Sequence, residues 1–99
     1  MDKKTGEQAA FFKILSDPTR LELVKLLCRQ PKAGALCVNA LAFHLGISQS
    51  AVSQHLRVLK YMGLVEGERR GYRVHYVINP EAIKRGRNLI SSILEIEES

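Results

Sequence analysis

Apolar residues recur along this chain in four stretches at helical spacing, then at spacing two, then once more at helical spacing. In the first stretch Ala9, Phe12 and Leu15, with Phe11, share a stripe. Thr5 followed three residues later by Gln8 has the form of a capping box, which predicts a helix from about Gly6 to Leu15. Asp17 then offers a carboxylate at an N-cap position, and Pro18 falls at the first helical position, where a missing N–H costs nothing. Leu21, Val24, Leu27 and Cys28 line one face of this second helix, predicted to stop near Gln30 and Pro31, and the small residues from Pro31 to Gly34 read as a loop. Val38, Leu41, Ala42 and Leu45 predict a short third helix closed by Gly46. Ser48 opens a fourth, which runs to about Met62 with Val52, Leu56 and Leu59 facing inward, and Gly63 ends it.

The period then changes to two. Leu64 to Arg69 and Tyr72 to Ile78 read as two strands around Arg70 and Gly71, with Val74, Tyr76 and Ile78 on one face. Asn79, Pro80 and Glu81 spell another helix start, and Ile83, Leu89, Ile90, Ile93 and Leu94 make a final amphipathic helix towards Glu98. With 99 residues, 45% hydrophobic, and no internal linker or repeat, one domain must hold all of this. No apolar run reaches the roughly 18 residues of a membrane span, and the charged start from Met1 to Glu7 has no apolar run behind it. An unprocessed, soluble chain with no membrane partner is expected. Two cysteines, Cys28 and Cys37, fit a reducing cytoplasm rather than a disulfide scaffold.

Charge changes the picture more than composition does. The formal net charge is +5, and all of it arises between Arg57 and Arg87, where Arg57, Lys60, Arg69, Arg70, Arg73, Lys84, Arg85 and Arg87 face only Glu66, Glu68 and Glu81. A basic stripe on a small domain favours a polyanion, nucleic acid first. The fourth helix carries Gln49, Ser50, Ser53, Gln54, Arg57 and Lys60 on its outer face without an acid. It follows a short helix and a three-residue turn (Gly46, Ile47, Ser48), and precedes a hairpin tipped with Arg69, Arg70, Gly71, Tyr72 and Arg73. In that order the parts describe a mainly α winged helix-turn-helix with a β-hairpin wing. The polar helix can lie in a major groove, where Gln and Ser reach base edges and Arg57 meets phosphate; the wing arginines can follow the backbone or enter a narrow minor groove. The whole of 1–99 is predicted as this one domain, with 38–62 as the helix-turn-helix and 64–78 as the wing. Segments 4–15 and 80–98 are predicted as dimerisation helices, because Phe11, Phe12, Ile83, Ile90, Ile93 and Leu94 exceed what a short monomer can cover.

Several separate motifs, Leu15-Ser16-Asp17-Pro18-Thr19-Arg20-Leu21, Leu36-Cys37-Val38, Leu45 to Leu56 and Gly63-Leu64-Val65, together resemble the ArsR/SmtB family of dimeric winged-helix repressors over nearly the whole chain. The resemblance implies a cytoplasmic homodimer that binds a palindromic operator in double-stranded DNA and is released by an inducer. It places Gln49, Ser50, Ser53 and Gln54 at the DNA-reading positions, and Arg70, Gly71 and Tyr72 in the wing. Metal-sensing members have a box resembling Leu-Cys-Val-Cys-Asp-Leu, whereas this chain reads Leu36-Cys37-Val38-Asn39-Ala40-Leu41. One thiolate cannot supply the roughly three that As(III) wants, or the four ligands of tetrahedral Zn. The family's other site uses Asp, His and Glu on the last helix, which here has no His and no Asp and ends in Glu95, Glu97 and Glu98, read as a solvated end. Cys37 and His44 lie two helical turns apart, too far for one metal; His55 and His75 read as partly buried or DNA-facing imidazoles. No metal and no other cofactor is expected.

The two cysteines suggest another inducer chemistry. Cys37 falls near a helix N-terminus, which favours its thiolate, and Cys28 continues an apolar stripe, so the pair could respond to oxidant or sulfide; simple packing of both is the alternative. No nucleophile with an orienting acid, P-loop or Gly-rich dinucleotide turn occurs, so no enzyme is expected. Two other readings stay open: a winged-helix interaction module without operator binding, and a metal- or metalloid-responsive repressor with a non-standard site.

Overall fold

The computed structural model describes residues 1–30 and 36–95. Its elements run α1 (Lys3–Leu15), α2 (Pro18–Arg29), β1 (Leu36–Cys37), α3 (Val38–Leu45), α4 (Gln49–Tyr61), β2 (Val65–Arg70), β3 (Arg73–Ile78) and α5 (Pro80–Leu94). The loop expected from Pro31 to Gly34 and the last residues of the final helix, Glu97 and Glu98 among them, lie outside the described residues.

Helix starts follow side-chain chemistry. Asp17 Oδ1 accepts from the N–H of Arg20 at 3.0 Å with Pro18 next to it, Ser48 Oγ accepts from Ala51 at 3.1 Å, and Asn79 Oδ1 accepts from Glu81 at 3.1 Å. The first helix corrects the sequence reading. Its N-cap is Asp2, whose Oδ1 accepts from the N–H of Thr5 at 2.8 Å and from the Thr5 hydroxyl at 2.9 Å. Thr5 is therefore inside the helix and spent on Asp2. Gln8, expected to close a capping box, instead donates across to the Leu89 carbonyl and Ser92 Oγ on α5, both at 3.3 Å.

The core gathers Ile14, Leu23, Val24, Leu27, Leu41, Ala42, Val52, Leu56, Leu59, Leu64, Val65 and Ala82. On α2 the inward residues are Leu23, Val24 and Leu27, while Leu21 is 40% exposed and Cys28 is exposed. The expected Leu21–Cys28 stripe is thus rotated: α2 packs among β3, α1, α4 and α3 with Leu23 turned in and both ends of the predicted stripe turned out. On α5 the buried positions are Ala82 and Gly86, both small. A Cβ on Gly86 would overlap the Phe11 ring, so this glycine is what lets α1 lie close on α5. Phe11 packs edge-on to Phe12, ring centroids 6.0 Å apart.

The sheet has three antiparallel strands in the order β1-β3-β2 rather than the two expected. Leu36 pairs with Tyr76 and Cys37 with His75, so β3 is the central strand. A second difference is that both faces of β3 are covered, with Tyr76 and Ile78 packed on the core and Val77, on the opposite face, also buried. The hairpin itself keeps the expected register, Arg70 opposite Arg73 with Gly71 and Tyr72 as its two-residue loop. Gly71 has φ +65° and Tyr72 does not share the positive φ, the pattern of a type II′ turn matched to strand twist.

Candidate nucleic-acid interface

Gly46 at φ +66° closes α3, and its neighbour Ile47 donates its N–H to Ala42 O at 3.2 Å, so the chain reverses within three residues before Ser48 caps α4. Val52, Leu56 and Leu59 bind one side of α4 to the core. At about 100° per residue, Gln49, Ser50, Ser53, Gln54, Arg57 and Lys60 fall in an arc of about 140° on the other side, and all six are exposed. The 13-residue helix is about 20 Å long, enough to span a major groove. His55, on the edge between the two faces, is half-buried with Nδ1 3.9 Å from Asp17 Oδ1. The N–H of Arg20, with His55 adding to it, holds the Asp17 carboxyl below the usual carboxylate range.

The wing presents Arg69, Tyr72 and Arg73 to solvent, with Tyr72 fully exposed, while Arg70 is half-buried with Nη2 3.4 Å from Glu68 Oε2. Gln49 at the start of α4 and Arg73 at the wing line one hollow, with Cys37 also in its wall. Of the residues named from the sequence, Gln49 and Arg73 are thus brought to one hollow, while Ser50, Ser53, Gln54 and Arg57 are exposed along α4 and Arg69 and Tyr72 on the hairpin.

The thiols are placed differently from one another. Cys37 is the N-cap residue of α3 and is buried; the N–H of Ala40, and more distantly the Arg73 guanidinium with Nη1 3.9 Å from Sγ, hold its thiol below the ordinary range. Partial desolvation pushes the Cys28 thiol up. Cys28 lines a cavity with Tyr76, Ile78 and Lys84, and Cys37 is not in that wall. Both cysteines are free. Among the described residues no three His, Cys, Asp or Glu side chains gather as a metal site would need. His75, opposite Cys37 in the sheet, keeps a buried Nδ1 without a hydrogen-bond partner among the described residues.

Of the residues named for dimerisation, Phe11 is spent within the chain against Gly86, while Phe12 is 43%, Ile93 47% and Leu94 68% exposed; Ile83 and Ile90 are half-buried. Sequence reasoning missed β1, whose only signal is that Leu36 and Cys37 are apolar before the helix begins. It also missed the α5 residues Lys84 and Arg87 as lining of a cavity.

Helix, tight turn, polar helix and basic hairpin in this arrangement define a winged helix-turn-helix. Residues 17–67 match the bacterial regulatory protein, arsR family, and the chain belongs to that family. It is 44% identical over 70 residues to the transcriptional repressor SmtB homolog of Synechocystis sp., a match covering 71% of this chain and 50% of that protein. It is 32% identical over 77 residues to the transcriptional repressor SdpR of Bacillus subtilis, covering 78% and 81%. The crystal structure of the transcriptional repressor BigR from Xylella fastidiosa superposes with a TM-score of 0.72 at 32% identity, covering 97% of this chain and 94% of that one. The chain spans about half the length of the SmtB homolog and of the probable mercury resistance operon repressor of Streptomyces lividans. The family is one of regulatory proteins, not enzymes. Among the described residues no helix is long and apolar enough to cross a membrane.

Proposed function

We propose that the chain is a homodimeric, sequence-specific repressor of transcription that binds double-stranded operator DNA. The observation that carries this reading is the exposed, acid-free face of α4, whose first residue, Gln49, shares a hollow with Arg73 of the wing. Gln49, Ser50, Ser53 and Gln54 read base edges, Arg57 and Lys60 hold phosphate, and Arg69, Arg70, Tyr72 and Arg73 follow the backbone beside the groove, with Gly71 making the turn. Relatives described as transcriptional repressors support the role.

Dimerisation is supported by shape. The radius of gyration is 15.0 Å, where a compact chain of this length has about 13 Å, and Phe12 on α1 and Ile93 and Leu94 on α5 are among the exposed apolar residues. A two-fold arrangement through these helices sets two α4 helices roughly 34 Å apart, one DNA turn. An inducer releases the dimer from DNA. A metal box of the kind that the metal-sensing relatives resemble does not fit the residues present, because Asn39 and Ala40 offer no thiolate or carboxylate beside Cys37. Cys37, with the more thiolate character, is the first of the two cysteines to act as sensor.

The test is fluorescence anisotropy on the DNA upstream of the chain's own gene across a salt series. Log affinity should fall linearly with log salt, and Arg69→Ala should flatten that slope by about one phosphate. Salt-insensitive binding, or none, would favour the protein-interaction module instead.

A further inference from the structure

A cavity of about 590 Å³ lies between the end of α2, the base of the wing on β3 and the first turns of α5. Its apolar lining comes from the buried Leu27 and the half-buried Tyr76, Ile78 and Ile83, with Val77, whose side chain takes the other face of β3, also in the lining. Two cations, Lys84 and Arg87, stand three residues apart on the α5 side of the mouth, against a single carboxylate, Glu66. Neither cation is in an ion pair within the described residues. Volumes of roughly 300–1,000 Å³ with apolar walls and a few convergent polar groups are those of small-molecule sites. The excess of one positive charge at the mouth selects the sign of the occupant, and the apolar lining selects its body.

We infer that this cavity binds a small organic monoanion with an apolar body, such as an aromatic carboxylate, its carboxylate held between Lys84 and Arg87 and its ring on Tyr76, Ile78 and Ile83. Such an occupant touches both the wing strand and α5. Given the operator-binding reading proposed above, on which this second part rests, it alters operator affinity by changing how α5 sits against the reading surface.

The experiment uses the full chain with 8-anilinonaphthalene-1-sulfonate, an aromatic monoanion that fluoresces on transfer from water, and naphthalene-2-carboxylate as a dark competitor. Saturable binding of one dye per protomer is expected, displaced by the carboxylate and not by uncharged 2-naphthalenemethanol at equal concentration. The double variant Lys84→Gln/Arg87→Gln, both exposed side chains, should weaken dye binding about tenfold, the size expected for losing charge-assisted contacts. Lys13→Gln on α1 should leave it unchanged. Equal binding by the double variant and the parent chain would overturn the inference, placing the dye on the apolar end of α5 instead. This arm contains no DNA, so it stands or falls apart from the operator reading. In the second arm, saturating naphthalene-2-carboxylate should shift operator affinity by roughly fivefold or more in the parent chain and not in the double variant. An equal shift in both, or none in the parent, would overturn the coupling.

Discussion

Gly86 offers a test in which two effects of opposite sign can be separated. In an ordinary helix, replacing glycine by alanine stabilises by about 1 kcal/mol, because the unfolded chain loses freedom and the helix gains a good former. At position 86 the three atoms nearest an added Cβ all belong to the Phe11 ring, at overlapping distance. The ring must swing out or α1 must shift, either of which costs about 1–3 kcal/mol. Gly86→Ala should therefore destabilise the chain by about 1 kcal/mol net. In a Phe11→Ala background nothing of that ring remains, so the same substitution should become stabilising by about 1 kcal/mol. Urea unfolding followed by far-UV circular dichroism measures this, with all four chains at one fixed concentration because the proposed dimerisation would make apparent stability depend on it. A Gly86→Ala effect of the same sign and size in both backgrounds would refute the claim that α1 and α5 meet through this glycine.

Ser53→Ala and Gln54→Ala should each cost about 1–3 kcal/mol on operator DNA and less on random sequence by anisotropy; equal losses on both would show that α4 does not read bases. Ile93→Glu, at a position 47% exposed in the single chain, should leave helix content intact yet shift sedimentation to the monomer and abolish tight operator binding. With the Cys37 thiol held low and the Cys28 thiol pushed up, the thiolate of Cys37 is the more populated at every pH between them. Site-resolved iodoacetamide alkylation from pH 6 to pH 10, read by mass spectrometry, should place the Cys37 rate inflection below that of Cys28; the reverse order would contradict the placement of Cys37 at the start of α3.

Much of this architecture is written in local chemistry. Asp17-Pro18, Ser48 and Asn79-Pro80 begin helices where they stand, because a short side-chain acceptor satisfies orphan N–H groups without help from the rest of the fold. The outer face of α4 was legible for the same reason: period and polarity suffice to orient a helix held by Val52, Leu56 and Leu59. What escaped depends on partners distant in sequence. Thr5 and Gln8 spell a capping box, yet Asp2 lies three residues before Thr5 and α5 lies within reach of Gln8, so both are recruited elsewhere. β1 is too short for any period to show, and only pairing with Tyr76 and His75 makes it a strand. Cys28 followed the apolar spacing of α2 but not its burial, since it stands at the open cavity that Tyr76, Ile78 and Lys84 also line.

The two-residue β1 has a mechanical consequence. It joins directly to α3, so its pairing with β3 welds the wing to the head of the helix-turn-helix, while Asn79, accepting at the start of α5, also donates Nδ2–H to the Gly63 carbonyl at 3.0 Å, where α4 has just ended. Wing and reading helix then behave as one jaw of a calliper. In the homodimer proposed above, an inducer would gain little by bending either part alone; the sensitive quantity would be the gap between the two jaws, set by how each is hinged to its α5, and a change of a few degrees there would put the second jaw out of phase with the next turn of DNA.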